Sequence, residues 1–375
     1  MKIRIVQQSF YAGKIHDNLA AIRAEYKKAL ADGADLMVLP EDAICGYNAD
    51  VLMQNRCYIE QCISAMEKLN KEVSSCAILG EISGGFFLME KGKITDVYDN
   101  FTFKKYNCKV IAASCIESES NADITFVLDA LPLVLDYNLF DDILETFADN
   151  TSLVYVNQCG GKDNVVLHGH SMLKGFNDVG AHIFPDFEEA CHTFEWNKQK
   201  FSPLPSSRFK PYKEPLQNIQ LIHDALVVGI RDYFKQAGIK KAVVGLSGGI
   251  DSAVILALAV QALGRTNVFG VMMPSQFSTG HSVTDAVKLA DNWQIYYEII
   301  KIKPVYDAFI KQLDPIFKGT EFGLAEENLQ ARSRAVLLMS IANKQGSLLI
   351  NTSNKSEGFC GYGTLYGDLC GSISP

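Results

Sequence analysis

The distribution of apolar residues in the first half of the chain predicts alternating strands and helices. The run "IRIVQQ" (3–8) is typical of a strand, and "NLAAIRAEYKKALADGAD" (18–35) carries apolar residues at helical spacing that stops at Gly33. "LMVLPE" (36–41) is a short apolar run typical of a buried strand. Further strand candidates are "CAILGEI", "FFLMEKGKITDVY", "FTFKKY", "KVIAAS", "ITFVLDA" and "SLVYVNQ". This alternation indicates a layered α/β domain.

The pattern breaks between Trp196 and Asn218 and then restarts. The stretch "WNKQKFSPLPSSRFKPYKEPLQN" contains prolines, serines and basic residues without apolar periodicity, which is typical of a linker. After it, helical patterns alternate with the strand-like runs "KAVVGL", "NVFGVMMP", "IYYEIIKI" and "SLLINTS". This order predicts a doubly wound parallel sheet. We therefore expect domains at 1–195 and 218–375, joined by a linker at 196–217.

Composition narrows the class of protein without naming a function. A chain of 375 residues is long enough for two cores, and its 48% apolar and 21% charged residues are ordinary for a globular protein. The net charge of -8 argues against a nucleic-acid or anionic-membrane partner. The ten cysteines form no C-x-x-C pair and no regular spacing, so a structural zinc site is not expected. Apolar runs are too short to span a membrane, and Met1 leads into a strand-like run rather than a signal peptide, so we expect a cytoplasmic protein.

The stretch "VVGLSGGIDSA" (243–253) joins a predicted strand to a predicted helix. Gly248 and Gly249 let the backbone turn with its N–H groups exposed, and the following helix N-terminus adds partial positive charge. This geometry suits an anion such as pyrophosphate. The loop is not a Walker A loop, because Asp251 stands where that motif would carry lysine and hydroxyl residues. An acidic side chain beside a phosphate needs a divalent cation between the two, whereas a glycine-rich turn without a ligand is the structural alternative.

This loop resembles the signature of the ATP-pyrophosphatase family, which splits ATP between the α and β phosphates. Three later stretches select a branch of that family: "MMPSQFSTGHSVTDA" (272–286), "EENLQARSRAVLLMSIAN" (326–343) and "NTSNKSEGFCGYGTLYGDLCG" (351–371) are similar to segments of NAD synthetases. The resemblance implies a C-terminal doubly wound, adenine nucleotide alpha hydrolase-like domain.

The resemblance also assigns roles to individual residues. Asp251 would bind magnesium, and Glu357 would serve the metal and deamido-NAD. Asn328 and Arg332 would contact deamido-NAD; they are four residues apart, so they share one helix face. The residues expected to bind ATP are Gly245, Leu246, Ser247, Gly248, Gly249, Ile250, Asp251, Ser252 and Thr352. A solvated surface arginine is the alternative for Arg332.

The implied reaction has two steps. The nicotinate carboxylate of deamido-NAD attacks the α-phosphorus of ATP, while Mg²⁺ and the loop amides stabilise the departing pyrophosphate. Ammonia then attacks the acyl-adenylate and expels AMP. The protein chiefly positions two nucleotides and neutralises charge.

In the first half, Glu41 directly follows one predicted strand and Cys115 ends another. An acid and a thiol at strand ends could form a base and nucleophile, although from the residues alone buried packing is favoured. "ADLMVLPEDAICGY" (34–47) is similar to the nitrilase segment with the catalytic Glu, and "SLVYVNQCGGKDNVVLHGHSML" (152–173) resembles the glutaminase domain fused to NAD synthetases. The chain is thus identified as a member of the glutamine-dependent NAD synthetases, with an N-terminal nitrilase-like α/β sandwich. Glu41 and Cys115 then match two members of a Glu-Lys-Cys triad.

The third member, a lysine, has no clear match. Asp99 and Asn100 occupy its expected place, and Lys104 and Lys105 lie inside the next predicted strand. Because the developing oxyanion and thiolate need a nearby cation, we predict weak or absent glutaminase activity, with free ammonia as the nitrogen source. The family's Asp-Gly-Gly-Ser reads His168-Gly169-His170-Ser171 here. For this histidine pair an ordinary polar role is expected, with metal binding as the alternative.

The chain stops at Pro375, soon after the last motif, where the family continues with further helices and basic residues. We therefore expect a C-terminally truncated or fragmentary synthetase domain, with apolar surface near its last strands. Three hypotheses remain: a NAD synthetase using glutamine or ammonia, a non-catalytic remnant that binds ATP or a partner subunit, and a different ATP-pyrophosphatase ligase. The last two motifs argue against the third. The resemblance also implies a homo-oligomer.

Overall fold

The computed structural model describes residues 1–112, 121–135, 151–176, 178, 180–207, 209, 218–276, 278 and 280–375. The chain divides into two compact units, Met1–Ala225 and Leu226–Pro375. Each unit is described separately below. Within the described residues, every helix is too short or too polar to cross a membrane.

The first unit contains two sheets and a hairpin. The strands are β1 (Lys2–Gln7), β2 (Leu36–Val38), β3 (Ala77–Ile82), β4 (Gly85–Glu90), β5 (Lys93–Val97), β6 (Asn100–Phe103), β7 (Tyr106–Ala112), β8 (Ile124–Asp129), β9 (Ser152–Asn157), β10 (Cys159–Lys162), β11 (Val165–His168), β12 (Met172–Lys174), β13 (His182–Ile183), β14 (Ala190–Trp196) and β15 (Phe201–Pro203). One sheet has the order β15-β14-β1-β2-β3-β4-β5 and the other β13-β12-β9-β8-β7-β6, while β10 and β11 pair with each other. The centres of both sheets, β1-β2-β3 and β7-β8-β9, are parallel.

The two sheets of the first unit pack face to face. Leu36 and Val38 of β2 join a core that includes Val110 of β7 and Phe126 of β8. Met37, between them, points to the other face and packs against the helices α1 (Ile15–Asp32) and α2 (Arg56–Glu72). This confirms the predicted α/β sandwich.

An ion-pair cluster ties the first sheet to α1. Arg4 of β1 lies among apolar neighbours, and its guanidinium contacts Glu25 at 2.5 Å and Asp32 at 3.1 Å. Both carboxylates belong to α1, and Thr193 of β14 also accepts from Arg4 at 3.0 Å. Arg4 and Glu25 are both buried, so this ion pair fixes the position of α1 on the sheet.

Two predicted strands are hairpins instead. The run 86–98 turns at Lys91 and Gly92, which both have positive φ, and thus forms β4 and β5. The run 101–106 turns at Lys104, with φ +55°, so Lys104 and Lys105 lie between β6 and β7 rather than inside a strand. Within the predicted linker 196–217, the segment Phe201–Pro203 pairs with β14 as an edge strand.

The second unit is a four-stranded parallel sheet with helices on both faces. Its strands are β16 (Ala242–Gly245), β17 (Val268–Met272), β18 (Tyr296–Ile299) and β19 (Leu348–Ile350). Its helices are α3 (Asn218–Ala237), which contains the boundary between the units, α4 (Ile250–Leu263), α5 (Gly280–Trp293), α6 (Lys303–Phe317), α7 (Leu324–Gln345) and α8 (Lys355–Cys360). The strand order is β18-β17-β16-β19: β17 and β18 are added on one side of β16, and β19 is added on the other side. The place between β16 and β19 is called the reversal point below. The predicted doubly wound sheet is confirmed, and open sheets of this kind bind ligands at such a reversal point.

The end of the chain runs along the edge strand of this sheet. Asn351 N donates to Ile373 O at 2.9 Å, and Ser372 N donates to Leu349 O at 2.8 Å. Phe359, Tyr362 and Tyr366, which precede this segment, are largely exposed.

Candidate functional site

A cavity of about 440 Å³ lies at the reversal point of the sheet in the second unit. Gly245, Leu246 and Ser247, at the end of β16, line it together with Asn351 and Thr352, which follow β19. Helix α7 contributes a stripe at helical spacing: Ala331, Arg334, Ala335 and Leu338. The cavity is thus lined by hydroxyls, one cation, one carboxylate (Asp368) and apolar side chains, a mixture that is usual in ligand sites.

The loop between β16 and α4 is held in one conformation. Gly248 has φ +84°, and a Cβ at this position would lie 2.3 Å from the carbonyl oxygen of Ser282. The Ser252 hydroxyl donates to Gly249 O at 3.0 Å and lies 3.1 Å from Ser247 Oγ, while Gly249 N donates to Ser247 Oγ at 3.1 Å. Ser252 is buried, so its hydroxyl holds the loop from the interior of the protein.

The remaining predicted ATP residues of the loop, from Gly248 to Ser252, do not line the cavity. Gly249, Ile250 and Asp251 are exposed at the start of α4. A helix N-terminus of this kind offers N–H groups that have no partner within the helix, together with partial positive charge. The loop can therefore bind an anion through its backbone, and Gly248 is the position at which a side chain is excluded.

The two predicted metal ligands both accept hydrogen bonds from one residue, Asn354. Asn354 Nδ2 donates to Asp251 Oδ1 at 3.3 Å, and Asn354 N donates to Glu357 Oε2 at 3.1 Å. The Ser353 hydroxyl also donates to Glu357 Oε2, at 2.9 Å. Two carboxylates from opposite sides of the reversal point therefore face the same region.

Asn328 and Arg332 do not line the cavity in this structure. Thr364 Oγ1 donates to Asn328 Oδ1 at 2.8 Å, and Arg332 Nε donates to Leu365 O at 3.2 Å. Both side chains thus brace the segment at 364–365 against α7. The sequence had indicated that they share a face, which agrees with this common partner segment.

Sequence reasoning missed Arg334. Its Nε donates to Met273 O at 3.1 Å, and it lines the cavity near Asp368. Burial lowers the pKa of its guanidinium, an effect that Asp368 opposes, but an arginine stays charged in proteins. The signal was available, since Ala331, Arg334 and Leu338 recur at helical spacing on the side facing the cavity.

In the first unit, Glu41 lies beside Asp129, the last residue of β8. Burial raises the pKa of Glu41 to about 7, and the neighbouring Asp42 charge adds to the rise. Burial and the Glu41 charge raise the pKa of Asp129 to about 8. Two adjacent buried carboxyls cannot readily both ionise, so the pair holds a shared proton near neutral pH. A carboxyl with this pKa can act as a general base.

A polar framework fixes the position of Glu41. Gln158 Nε2 donates to Glu41 O at 2.7 Å, and Tyr155 Oη donates to Asp129 Oδ2 at 3.3 Å. Glu41, Asp42 and Glu81 each place a carboxylate oxygen within 4.8 Å of the others. Cys115, the predicted nucleophile, lies outside the described residues.

The lysines of the first unit bear on the missing member of the triad. Lys104 forms an ion pair with Asp35, which precedes β2, whereas Glu41 follows the other end of that strand. Lys162 of β10 is buried; its Nζ donates to Phe10 O at 2.9 Å and lies 3.6 Å from the ring centre of Tyr11. Lys104 therefore cannot serve Glu41.

Comparison with known proteins identifies the family. Residues 222–375 match the NAD synthase family. The glutamine-dependent NAD(+) synthetase of Synechocystis sp. is 32% identical, over 99% of this chain and 77% of that protein. The chain belongs to the glutamine-dependent NAD(+) synthetase family. Enzymes of this family are ligases, so the predicted family and enzyme class are confirmed.

Solved structures of glutamine-dependent NAD(+) synthetases agree with the fold. The enzyme of Acinetobacter baumannii, in complex with adenosine diphosphate, superposes with a TM-score of 0.88 at 27% identity, over 100% of this chain and 78% of that one. The enzyme of Cytophaga hutchinsonii has a TM-score of 0.82 at 16% identity, with the same coverage, which supports the fold alone. The similarity in fold to these synthetases thus extends over the whole chain.

Proposed function

We propose that this chain converts deamido-NAD to NAD by ATP-dependent amidation through an acyl-adenylate, releasing AMP and pyrophosphate. The observation that carries the proposal is the cavity at the reversal point between β16 and β19, bordered by the glycine loop that precedes α4. Gly245, Leu246, Ser247 and Thr352 line this cavity, which supports their assignment to ATP.

In the proposed mechanism the loop and the N-terminus of α4 bind the phosphates of ATP, so that charge on the departing pyrophosphate meets N–H donors already in place. The Arg334 guanidinium lies in the cavity wall and adds a fixed positive charge. The adjoining stripe of α7 excludes water from the reacting groups. The acyl-adenylate is thereby protected until ammonia displaces AMP.

The residues around Asp251 and Glu357 fit a magnesium ion. Their donors are carboxylate oxygens, the ligands that Mg²⁺ prefers, and both groups contact Asn354. Mg²⁺ bound there with ATP would neutralise phosphate charge. Asp251 and Glu357 hold the ion in this proposal, and Asn354 orients the two carboxylates.

We also propose that ammonia, rather than glutamine, is the main nitrogen source. Glu41 has the environment of a general base, but Lys104 is bound to Asp35 at the other end of β2. With Lys104 bound there, a Glu41–Cys115 pair should hydrolyse glutamine slowly, because the developing negative charges need a nearby cation. The family's glutamine-dependent route then contributes little nitrogen in this chain.

One assay tests both proposals. The purified chain is incubated with ATP, Mg²⁺ and deamido-NAD, with either ammonium chloride or glutamine, and AMP and NAD are measured by chromatography. We expect both products with ammonia and little NAD with glutamine. Neither product with either donor would contradict synthesis and favour a non-catalytic chain that binds ATP or a partner subunit.

The nitrogen source has its own matched controls. Cys115→Ala should leave ammonia-dependent NAD formation unchanged, as should Cys57→Ala, which removes an exposed thiol. Fast glutamine hydrolysis that disappears in Cys115→Ala but persists in Cys57→Ala would overturn the proposal of a weak glutaminase. The ammonia reaction measured in parallel reports whether the variant is folded.

We further propose that the chain works as a homo-oligomer in the cytoplasm. The nine cysteines within the described residues are all free, as is usual in a reducing compartment. The family resemblance supports the oligomer. Light scattering of the purified chain measures its mass, and a monomer at micromolar concentration would contradict this part.

A further inference from the structure

Two histidines and an aspartate converge in the first unit, away from Glu41 in sequence. His168 ends β11, His170 follows two residues later, and Asp186 comes after β13. His168 Nε2 lies 3.0 Å from Asp186 Oδ1, and His170 Nδ1 lies 2.5 Å from the same oxygen. The three side chains are 10%, 13% and 5% exposed, so the cluster is largely closed but reachable from solvent.

The backbone around this cluster is fixed on both sides. Gly169 and Asp186 form an isolated β-bridge, and Phe187 N donates to His168 O at 2.8 Å. His170 has φ +56°, a left-handed conformation in which histidine is more frequent than most residues. The strained conformation holds both imidazoles on one side of the turn, where Asp186 faces them.

A buried glutamine locks the two segments together. Gln7 Nε2 donates to Pro185 O at 2.7 Å and to Glu188 O at 2.8 Å, while Gln7 Oε1 accepts from Ser171 N at 2.8 Å. One side chain thus ties the segment before Asp186 and the segment after it to the residue that follows His170. The three polar groups are positioned in advance, which lowers the cost of binding a ligand between them.

We propose that His168, His170 and Asp186 bind a divalent transition-metal ion of the Zn²⁺ class. All three donor atoms, His168 Nε2, His170 Nδ1 and an Asp186 carboxylate oxygen, lie within 4.8 Å of one another. Zn²⁺ bonds of about 2.0–2.2 Å put neighbouring ligand atoms about 3.3 Å apart in a tetrahedral site. Small side-chain rotations that lengthen the 3.0 and 2.5 Å contacts reach this spacing.

The donor set determines the class of ion. Imidazole nitrogens suit Zn²⁺, Co²⁺, Ni²⁺ and Fe²⁺, whereas Mg²⁺ and Ca²⁺ prefer oxygen donors throughout. Three protein ligands leave at least one coordination position for water. The site differs in this respect from the oxygen-only pair proposed for Asp251 and Glu357, so the two sites take different ions.

Binding would stiffen the framework behind Glu41. Ser171, next to His170, accepts from Asn157 N through its hydroxyl oxygen at 3.0 Å, and Gly169 N donates to Gln158 O at 2.9 Å. Gln158 in turn holds Glu41 O. An ion at the histidine pair therefore stabilises the turn on which this framework rests.

Cobalt serves as the probe because its absorption reports coordination. The full-length chain, carrying Cys57→Ala and Cys360→Ala to remove two exposed thiols, is treated with a chelator and titrated with Co²⁺ and, by calorimetry, with Zn²⁺. We expect one equivalent of either ion, a cobalt d–d band, a higher unfolding temperature and no displacement by Mg²⁺.

Three ligand variants and one control locate the ion. His168→Asn, His170→Asn and Asp186→Asn should each weaken Zn²⁺ binding at least about 100-fold, since changes to groups that merely support a ligand already cost 10–100-fold. Asparagine also tolerates the left-handed backbone at position 170. His16→Asn, at an exposed histidine, should bind as the parent does. Binding that survives all three ligand variants, or parent protein that binds no Co²⁺ or Zn²⁺, would overturn the proposal and leave the cluster as an ion pair.

Discussion

Gly248→Ala is the sharpest test of the phosphate loop. The residue combines φ +84° with a backbone neighbour, since an added Cβ would lie 2.3 Å from Ser282 O and 2.8 Å from Ser282 Cα. Neither atom belongs to a flexible side chain, so the clash cannot be relieved by a rotamer change. Either the loop keeps its conformation under strain, or it moves away from the start of α5.

The size of the effect follows from these two outcomes. If the loop stays, the left-handed backbone costs about 1–2 kcal/mol and overpacking about 1–3 kcal/mol, so the free energy of unfolding falls by about 2–5 kcal/mol. If the loop moves, the contact must lengthen from 2.3 Å to an ordinary 3.4 Å, a shift of about 1.1 Å. Such a shift breaks hydrogen bonds to phosphate, and each lost bond to a charged group weakens ATP binding by about 10- to 150-fold.

Both quantities are measurable on one preparation. ATP affinity is obtained by calorimetry and stability by urea unfolding, for the parent, Gly248→Ala and the matched control Gly346→Ala. Gly346 has φ +61° with nothing within 4 Å of an added Cβ, so its variant carries the backbone strain without the clash. If Gly248→Ala matched Gly346→Ala in both measurements, the assignment of Gly248 as the sterically closed point of the loop would be wrong.

Three further perturbations probe other parts of the chain. Arg4→Ala removes the buried partner of Glu25, which then keeps only its ion pair with the exposed Lys28, and should cost about 3–5 kcal/mol of unfolding free energy, whereas Arg23→Ala, in a more exposed pair, should cost about 0–1 kcal/mol; equal losses in urea unfolding would contradict this. Because the pKa of Asp129 is raised to about 8, its stabilising contribution is complete in acid and is lost as pH rises through that value. Unfolding at about pH 5 and about pH 9 should therefore show less pH dependence in Asp129→Asn than in the parent, and an unchanged pH profile would contradict it. Arg334→Ala should raise the Kd for ATP by about 10- to 150-fold, while Arg265→Ala, at an exposed arginine, should not; calorimetry that shows no difference would remove Arg334 from the site.

Much of the fold could be predicted from local pattern. Apolar spacing predicted the helix that ends before Gly33, because burial of one face imposes a period on the sequence. A continuous apolar run predicted the strand that ends at Gly245, because both faces of that strand are buried. The two missed hairpins have different causes. Lys91-Gly92 carries a recognisable turn glycine, whereas Lys104-Lys105 has no turn residue, and Lys104 takes its positive φ where β6 pairs with β7.

The sites were predictable to a smaller extent. The loop and Thr352 follow strand ends, and that position is readable from the sequence. The pairing of Glu41 with Asp129 depends on two distant strand ends meeting across the sandwich, which no local pattern encodes. The sequence marks His168 and His170 as a pair. Asp186 lies 16 residues beyond His170, and it reaches the pair through the left-handed turn at His170 and the hydrogen bonds of the Gln7 amide.

The amide of Asn354 has a kinetic consequence. It joins Asp251 to the segment after β19 across a sequence separation of 103 residues, while the loop itself depends on β16. Contacts between residues so far apart in sequence form late, because closing the long intervening loop costs conformational entropy. During refolding, helix content should therefore recover before nucleotide affinity does. The rate at which ATP binding recovers would then report when β19 joins the sheet.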